Sequence, residues 1–184
     1  MRMTIDKDRF WRLLEPEYSR AMMFCRKLMS DRDKSDDLFQ DALLIACTRI
    51  GDLRDEAAFR PWLYRIIITT FRSTVRRPWW RRRVTLTPEI ENSLSSPDSG
   101  DSVVARRCLE KAFQAVSSED QTLVTLHELE GWPMAELAAL YGKSESAVKV
   151  QLFRARRKMK AVLLRQSRSN AEMQNRKLVT EAGS

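Results

Sequence analysis

Lys149, Arg156 and Lys160 stand in a stretch where cationic side chains recur at helical spacing, a combination suited to an anionic partner such as nucleic acid. Arg or Lys can donate to phosphate oxygens or to guanine O6 and N7. The surrounding charge fits the same chemistry. From Arg154 to Lys160 five of seven residues are cationic, whereas a merely solvated helix face usually mixes signs to gain i,i+4 pairs. A second candidate group is Asp36, Asp37 and Asp41, carboxylates about one helical turn apart. Paired carboxylates can do acid–base work, but no histidine, cysteine or glycine-rich phosphate loop accompanies these, so no catalytic residue and no cofactor is expected. Metal binding is not indicated either. Cys25, Cys47 and Cys108 are odd in number and widely spaced among apolar helical positions, and the single histidine, His127, could hardly complete a zinc site.

The elements that must position these donors can be read between Leu129 and Lys160 as a short helix, a glycine turn and a longer basic helix. Pro133 suits a first helical turn because its missing N–H would be unpaired there anyway, and Leu137, Ala138 and Tyr141 supply an apolar stripe. Gly142 accepts the positive φ that ends such a helix, and Ser144 can cap the next one. In the second helix Val148, Leu152, Ala155 and Met159 repeat at core spacing, while Lys149, Phe153, Arg156 and Lys160 share another face. This is the pattern of a helix-turn-helix whose second helix enters the major groove. Helical hairpins with no DNA role can share it.

Composition and the rest of the chain frame that motif. With 184 residues and a formal net charge of +8, the chain favours an anionic partner. Only five glycines argue against a β-rich architecture. The expected fold class is all-α, with two small helical domains joined by a flexible linker. In the first domain Tyr18, Met22, Cys25 and Met29 mark one helix, and Leu38, Ala42, Ile45 and their neighbours mark a second that Gly51 closes, with Ser35 as its expected N-cap and Asp36 and Asp37 in the first turn. A third helix is expected over Phe59 to Val75, stopped by Pro78. Residues 78–101, rich in proline, serine and charge, read as the linker. The second domain begins with Val104, Cys108, Leu109, Ala112 and Val116 on one helix, and Ser118 with Gln121 has capping-box spacing for the next. The tail from residue 165 is polar, weakly periodic and expected to be disordered. The apolar run at Ile66 to Ile68 is too short to cross a bilayer and the N-terminus is charged, so a cytoplasmic protein without membrane insertion is expected.

Taken together, D-D-L-F-Q-D-A-L-L-I-A (Asp36 to Ala46), A-F-R-P-W-L-Y-R-I (Ala58 to Ile66), L-E-G-W-P-M-A-E-L-A (Leu129 to Ala138) and A-V-K-V-Q-L-F-R-A-R (Ala147 to Arg156) resemble an extracytoplasmic-function sigma factor of bacterial RNA polymerase. The resemblance covers Tyr18 to Leu164 and implies a promoter-specificity subunit with no catalytic activity of its own. Its partners would be core RNA polymerase and promoter DNA, with an anti-sigma factor as a further candidate. Residues 1–77 would form a region-2-like domain and 102–164 a region-4-like one. Asp37, Leu38, Gln40 and Asp41 match the family's grip on core polymerase. Arg54, Asp55, Glu56, Ala57, Ala58 and Phe59 match the loop that captures a flipped base of the minus-ten element, and Trp62, Arg65, Thr69 and Arg72 the helix that carries the non-template strand. Core packing is at least as good a reading of Trp62. Ser144, Glu145, Ser146, Lys149, Val150, Gln151, Arg154 and Arg157 match the surface facing the minus-thirty-five element. Thr69, Ser73, Glu145, Ser146 and Val150 depart from the family's usual residues, which leaves the preferred promoter sequence open. In the linker, Arg76 to Arg83 interleave cations with Trp79 and Trp80, a composition suited to gripping DNA or to a basic hinge. The competing class is a self-standing helix-turn-helix regulator with an N-terminal sensing or dimerisation domain.

Overall fold

The computed structural model describes residues 6–29, 31–76 and 100–182, apart from the side chains of 100–103, 106 and 169–182. All regular structure among the described residues is helical. The N-terminal half holds α1 (Lys7–Leu14), α2 (Tyr18–Leu28), α3 (Arg32–Thr48) and α4 (Phe59–Arg76). Two short 3-10 turns, Ile50–Asp52 and Glu56–Ala58, join α3 to α4. The C-terminal half holds α5 (Gly100–Gln114), α6 (Ser118–Val124), α7 (Met134–Tyr141) and α8 (Glu145–Ala182).

Helix α1 is an addition to the sequence reading. Asp6 caps it by accepting from the Arg9 amide at 3.0 Å, and Phe10 and Leu14, one turn apart, are buried. That pair was the available signal, masked by the charged residues around it. Helices α2, α3 and α4 close over a core of Phe24, Cys25, Leu38, Phe39, Leu63, Tyr64, Ile67 and Phe71. Burial pushes the Cys25 thiol up to about 12, so it stays protonated at neutral pH as a core residue.

Several local expectations are corrected. Asp31, not Ser35, caps α3, accepting from the Lys34 amide at 3.2 Å, while Ser35 is buried inside the helix and donates to the Arg32 carbonyl at 2.7 Å. Asp36 and Asp37 therefore lie beyond the first turn. Ser117, not Ser118, caps α6 by accepting from the Asp120 amide at 3.0 Å. Both helices start earlier than expected because an acceptor one or more residues upstream already satisfies a free amide. Of the stripe expected on α5, Ala112 is buried but Val104 and Leu109 face outward. The tail expected to be disordered from residue 165 continues α8 as far as Ala182. No glycine or proline interrupts 145–182, so nothing local ends the helix once it has begun. The linker expected at 78–101 lies outside the described residues except for Gly100 and Asp101, which belong to α5.

After α6 the backbone widens into a π-turn over Thr125–Leu129, where the Glu130 amide donates to the Thr125 carbonyl at 3.2 Å. Gly131, at φ 69°, turns the chain back, and Trp132 enters the core. There it joins the two halves. Its ring lies 4.9 Å from that of Tyr64 on α4, and the Arg60 guanidinium sits 4.5 Å from the Trp132 ring centroid. Around this seam Lys27 pairs with Glu130 at 2.6 Å and the Gln121 amide donates to the Leu28 carbonyl at 3.0 Å.

Candidate nucleic-acid interface

Gly142 is what lets α7 and α8 form their angle. It sits at φ 64°, and the last turn of α7 closes with the Lys143 amide donating to the Ala138 carbonyl at 2.9 Å and the Gly142 amide to that of Ala139 at 3.4 Å. This paired closure is the Schellman arrangement, for which a left-handed residue is needed. Ser144 then caps α8 by accepting from the Ala147 amide at 3.2 Å. A Cβ at position 142 would meet no atom within 4 Å, so Gly142→Ala isolates the backbone cost. About 1–2 kcal/mol of stability should be lost, read from the urea midpoint; an unchanged midpoint would contradict the turn's conformation.

Val148, Leu152, Ala155 and Met159 are buried as their spacing predicts. The opposite side of α8 presents Ser146, Lys149, Val150, Arg154 and Arg157 to solvent beside the half-buried Gln151. Lys149, Arg154 and Arg157 make no ion pair among the described residues, so their donors are available to an external anion. Two other residues of α8 are already engaged. Arg156 is tied to Glu128, its Nε donating to Oε1 at 2.7 Å. Gln151 donates to Asp120 at 2.7 Å and to Glu119 at 3.3 Å, and accepts from Lys143 at 2.7 Å. Glu119 collects Lys143, Gln151 and, at 3.4 Å, Arg72 from α4. Hydrogen bonding from Lys143 above all, and then from Gln151, holds its carboxyl below the usual range against the opposing effect of burial.

On the N-terminal half, Arg65, Thr69 and Arg72 follow one another along α4. Each has a donor directed at the protein. Arg65 donates to the Ala139 carbonyl of α7 at 3.2 Å, the Thr69 hydroxyl returns to the Arg65 carbonyl at 2.8 Å, and Arg72 meets Glu119. Trp62 is half-buried, its ring 5.8 Å from that of Phe59. In the loop ahead of α4, Arg54, Asp55, Glu56 and Ala57 are exposed and Ala58 is half-buried, but Phe59 is 3% exposed and belongs to the core. Phe59 is thus removed from the candidate base-contacting set: it starts α4 with its ring against Phe10, 6.3 Å away.

The acidic candidates divide in the same way. Asp37, Gln40 and Asp41 are exposed along α3, whereas Leu38 is 2% exposed and is corrected to a core residue, since i and i+1 positions point to different sides of a helix. Asp36 turns toward Arg26 at 3.6 Å. Two exposed apolar residues have no expected role from the sequence: Leu44, 68% exposed one turn from Asp41, and Ile45, 39% exposed. Together they make an acidic and apolar strip on α3. Among the described residues no group of three or more His, Cys, Asp or Glu is able to hold a metal ion, and no helix is long and apolar enough to cross a membrane.

Comparison with known proteins matches residues 13–81 to the family described as Sigma-70 region 2 and residues 106–159 to Sigma-70, region 4. The RNA polymerase sigma factor NccH of Alcaligenes xylosoxydans xylosoxydans is 31% identical over 134 residues, 70% of this chain and 72% of that protein. The ECF RNA polymerase sigma factor SigM of Mycobacterium tuberculosis is 25% identical over 158 residues, 86% and 79% of the two chains. Among solved structures, the sigma factor RpoE in complex with the anti-sigma factor NepR from Bartonella quintana superposes with a TM-score of 0.59 at 22% identity, covering 84% of this chain and 96% of that one. CnrH in complex with the cytosolic domain of CnrY gives the same TM-score and identity, covering 84% and 86%.

Proposed function

From the premise that this chain belongs to the sigma-70 family, as a sigma factor of the extracytoplasmic-function group, we propose how its surfaces divide the work of promoter-specific initiation. The chain binds core RNA polymerase, directs it to promoters and promotes DNA melting; it is an initiation factor and not a classical enzyme. The observation that carries the division is the unpaired cationic face of Lys149, Arg154 and Arg157 on a helix whose opposite face is sealed into a helix-turn-helix core. That face reads the minus-thirty-five element. The loop from Arg54 to Ala58, continued by Trp62, Arg65, Thr69 and Arg72, takes the minus-ten element, and the α3 strip of Asp37, Gln40, Asp41 and Leu44 takes core polymerase. Residues 1–77 and 102–164 are the two functional domains, and the protein acts in the cytoplasm. Since the similar sigma factor RpoE is bound to the anti-sigma factor NepR, a partner of that class fits this chain as well.

The present partners of Arg65, Arg72 and Gln151 bear on how DNA is reached. Arg65 and Arg72 bind groups of the C-terminal half, and Gln151 is held by Asp120, Glu119 and Lys143. The donors engaged in these bonds would exchange a protein partner for a nucleic-acid one. Exchange adds little net affinity, so the free protein should bind promoter duplex weakly and the polymerase should supply the spacing that lets both domains engage at once. Tight sequence-specific binding by the free chain as a dimer would favour the regulator reading instead.

The recognition helix is tested by fluorescence anisotropy of the holoenzyme on a library of upstream-element variants at several salt concentrations. Lys149 lies in the first turns of α8, the part that reaches base edges, and Lys149→Ala should relax preference at one or two positions, with about 1–3 kcal/mol of discrimination lost. Arg157→Ala should weaken all variants alike and flatten the log-affinity against log-salt slope by about 0.9. Base preferences altered by Arg157→Ala and untouched by Lys149→Ala would reverse the orientation of α8 in the groove.

A further inference from the structure

The chain between α3 and α4 is built from local hydrogen bonds that shape its two turns without attaching them to the rest of the molecule. The Asp52 amide donates to the Arg49 carbonyl at 2.9 Å, that of Leu53 to Ile50 at 3.1 Å and that of Ala58 to Asp55 at 3.1 Å, while the Asp55 carboxylate accepts from the Ala57 amide at 3.0 Å. Ile50, Leu53 and Phe59 are buried and anchor the ends. Across the exposed middle, the long-range hydrogen bonds among the described residues all come from α1. Arg9 donates from Nε to Glu56 Oε1 at 2.9 Å and from Nη2 to the Leu53 carbonyl at 3.0 Å. Arg12 donates from Nη2 to both Glu56 oxygens, at 2.9 and 3.1 Å.

From this geometry we propose that Arg9 and Arg12 are positioning residues for minus-ten recognition, holding the segment from Leu53 to Glu56 so that Arg54 and Ala57 face the captured base. The proposal rests on the reading of this loop as the minus-ten reader. One guanidinium spans both turns: Leu53 follows the first and Glu56 begins the second, so the rigid fork of Arg9 sets the separation between them. Arg54 and Asp55 are pinned in between. Glu56, expected from the resemblance to contact DNA, instead turns its carboxylate to the arginines, and hydrogen bonds from Arg12 and then Arg9 hold that carboxyl below its usual range. Arg54 makes no ion pair among the described residues and keeps its donors for the ligand. Exposed ion pairs contribute little to global stability, so the expected role is in loop geometry, to which discrimination between bases is sensitive.

The experiment uses the full chain assembled with core polymerase on fork-junction promoters carrying each base at the most discriminating minus-ten position. For Arg9→Ala with Arg12→Ala, the preference for the best over the worst base should fall on the order of tenfold, with core-polymerase affinity and minus-thirty-five preference unchanged. Arg9→Lys keeps the charge, loses the fork and should show part of the same loss. Glu56→Ala combined with Arg12→Ala should lose less than the product of the two single effects, because both remove one contact. Hydrogen exchange at the Ala57 and Ala58 amides should accelerate in these variants while that of α4 stays slow. The control is Ala57→Leu, which fills the base site directly. Base preference kept within twofold by the arginine variants but lost in Ala57→Leu would overturn the positioning role and leave the loop reading intact. Preference kept in Ala57→Leu as well would overturn the loop reading, and the positioning role with it.

Discussion

Substituting Asp37→Arg together with Asp41→Arg should abolish capture by core RNA polymerase while the fold is retained. Both carboxylates are exposed on α3 and neither makes an ion pair among the described residues, so removing them leaves no buried charge behind. At an interface that accepts this acidic face, two reversals place like charges opposite one another. Such juxtaposition costs several kcal/mol, and about 3 kcal/mol already corresponds to more than 100-fold in affinity. The measurement is a pull-down or titration against core enzyme, with helical circular dichroism to check folding. Unchanged affinity would remove α3 from the polymerase interface. Leu38 is unsuitable for the same test: a buried Leu→Ala change costs about 2–5 kcal/mol of folding stability, and lost binding could then follow from unfolding alone. Leu44→Asp is the better companion, because Leu44 is exposed in the same strip.

The second large effect is expected at Trp132. Its side chain is 1% exposed, with Tyr64 and Arg60 of the other half against its ring. Trp→Ala truncation in a core costs about 3–5 kcal/mol, a large share of the stability of a domain this size. Urea unfolding should therefore begin at much lower denaturant in Trp132→Ala. Because the ring bridges α4 and the turn after α6, the loss should couple to Tyr64: a cycle of Trp132→Ala and Tyr64→Leu should give an interaction energy of about 0.5–3 kcal/mol. Strict additivity would mean that the two halves do not share this contact in solution.

The parts legible in the sequence are those governed by neighbours within a turn or two. Gly142 and Ser144 mark the junction between α7 and α8 because a left-handed cap closes the last free carbonyls of one helix and a serine acceptor takes a free amide of the next, all within five residues. Val148, Leu152, Ala155 and Met159 are buried as expected because a 3.6-residue repeat puts them on one side whatever they pack against. The same logic places α4 at Phe59 to Val75, within one residue of the observed Phe59–Arg76. Periodicity alone does not say how far burial extends round a helix: on α3, Leu38, Ala42 and Ile45 mark the helix, but the partners α2 and α4 cover Leu38 and Ala42 and leave Ile45 half out. In the polar tail, weak amphipathicity likewise says little about whether an uninterrupted helix will stop.

What remained to the tertiary structure is the assignment of polar groups to partners. Glu56 finds Arg9 from 47 residues away, Arg65 finds the Ala139 carbonyl across 74, and Gln151 finds Asp120 across 31. By its type and local position, each looked equally ready for DNA. A charged or amide side chain can satisfy its hydrogen bonds with whatever lies within about 3 Å, and proximity at that scale follows from how helices distant in sequence cross. Which faces are apolar and where helices turn is written in the residue order, because those depend on local backbone geometry and on side-chain periodicity. Only the packed structure decided which donors stay free for nucleic acid, because that depends on which other donors and acceptors the fold carries to them.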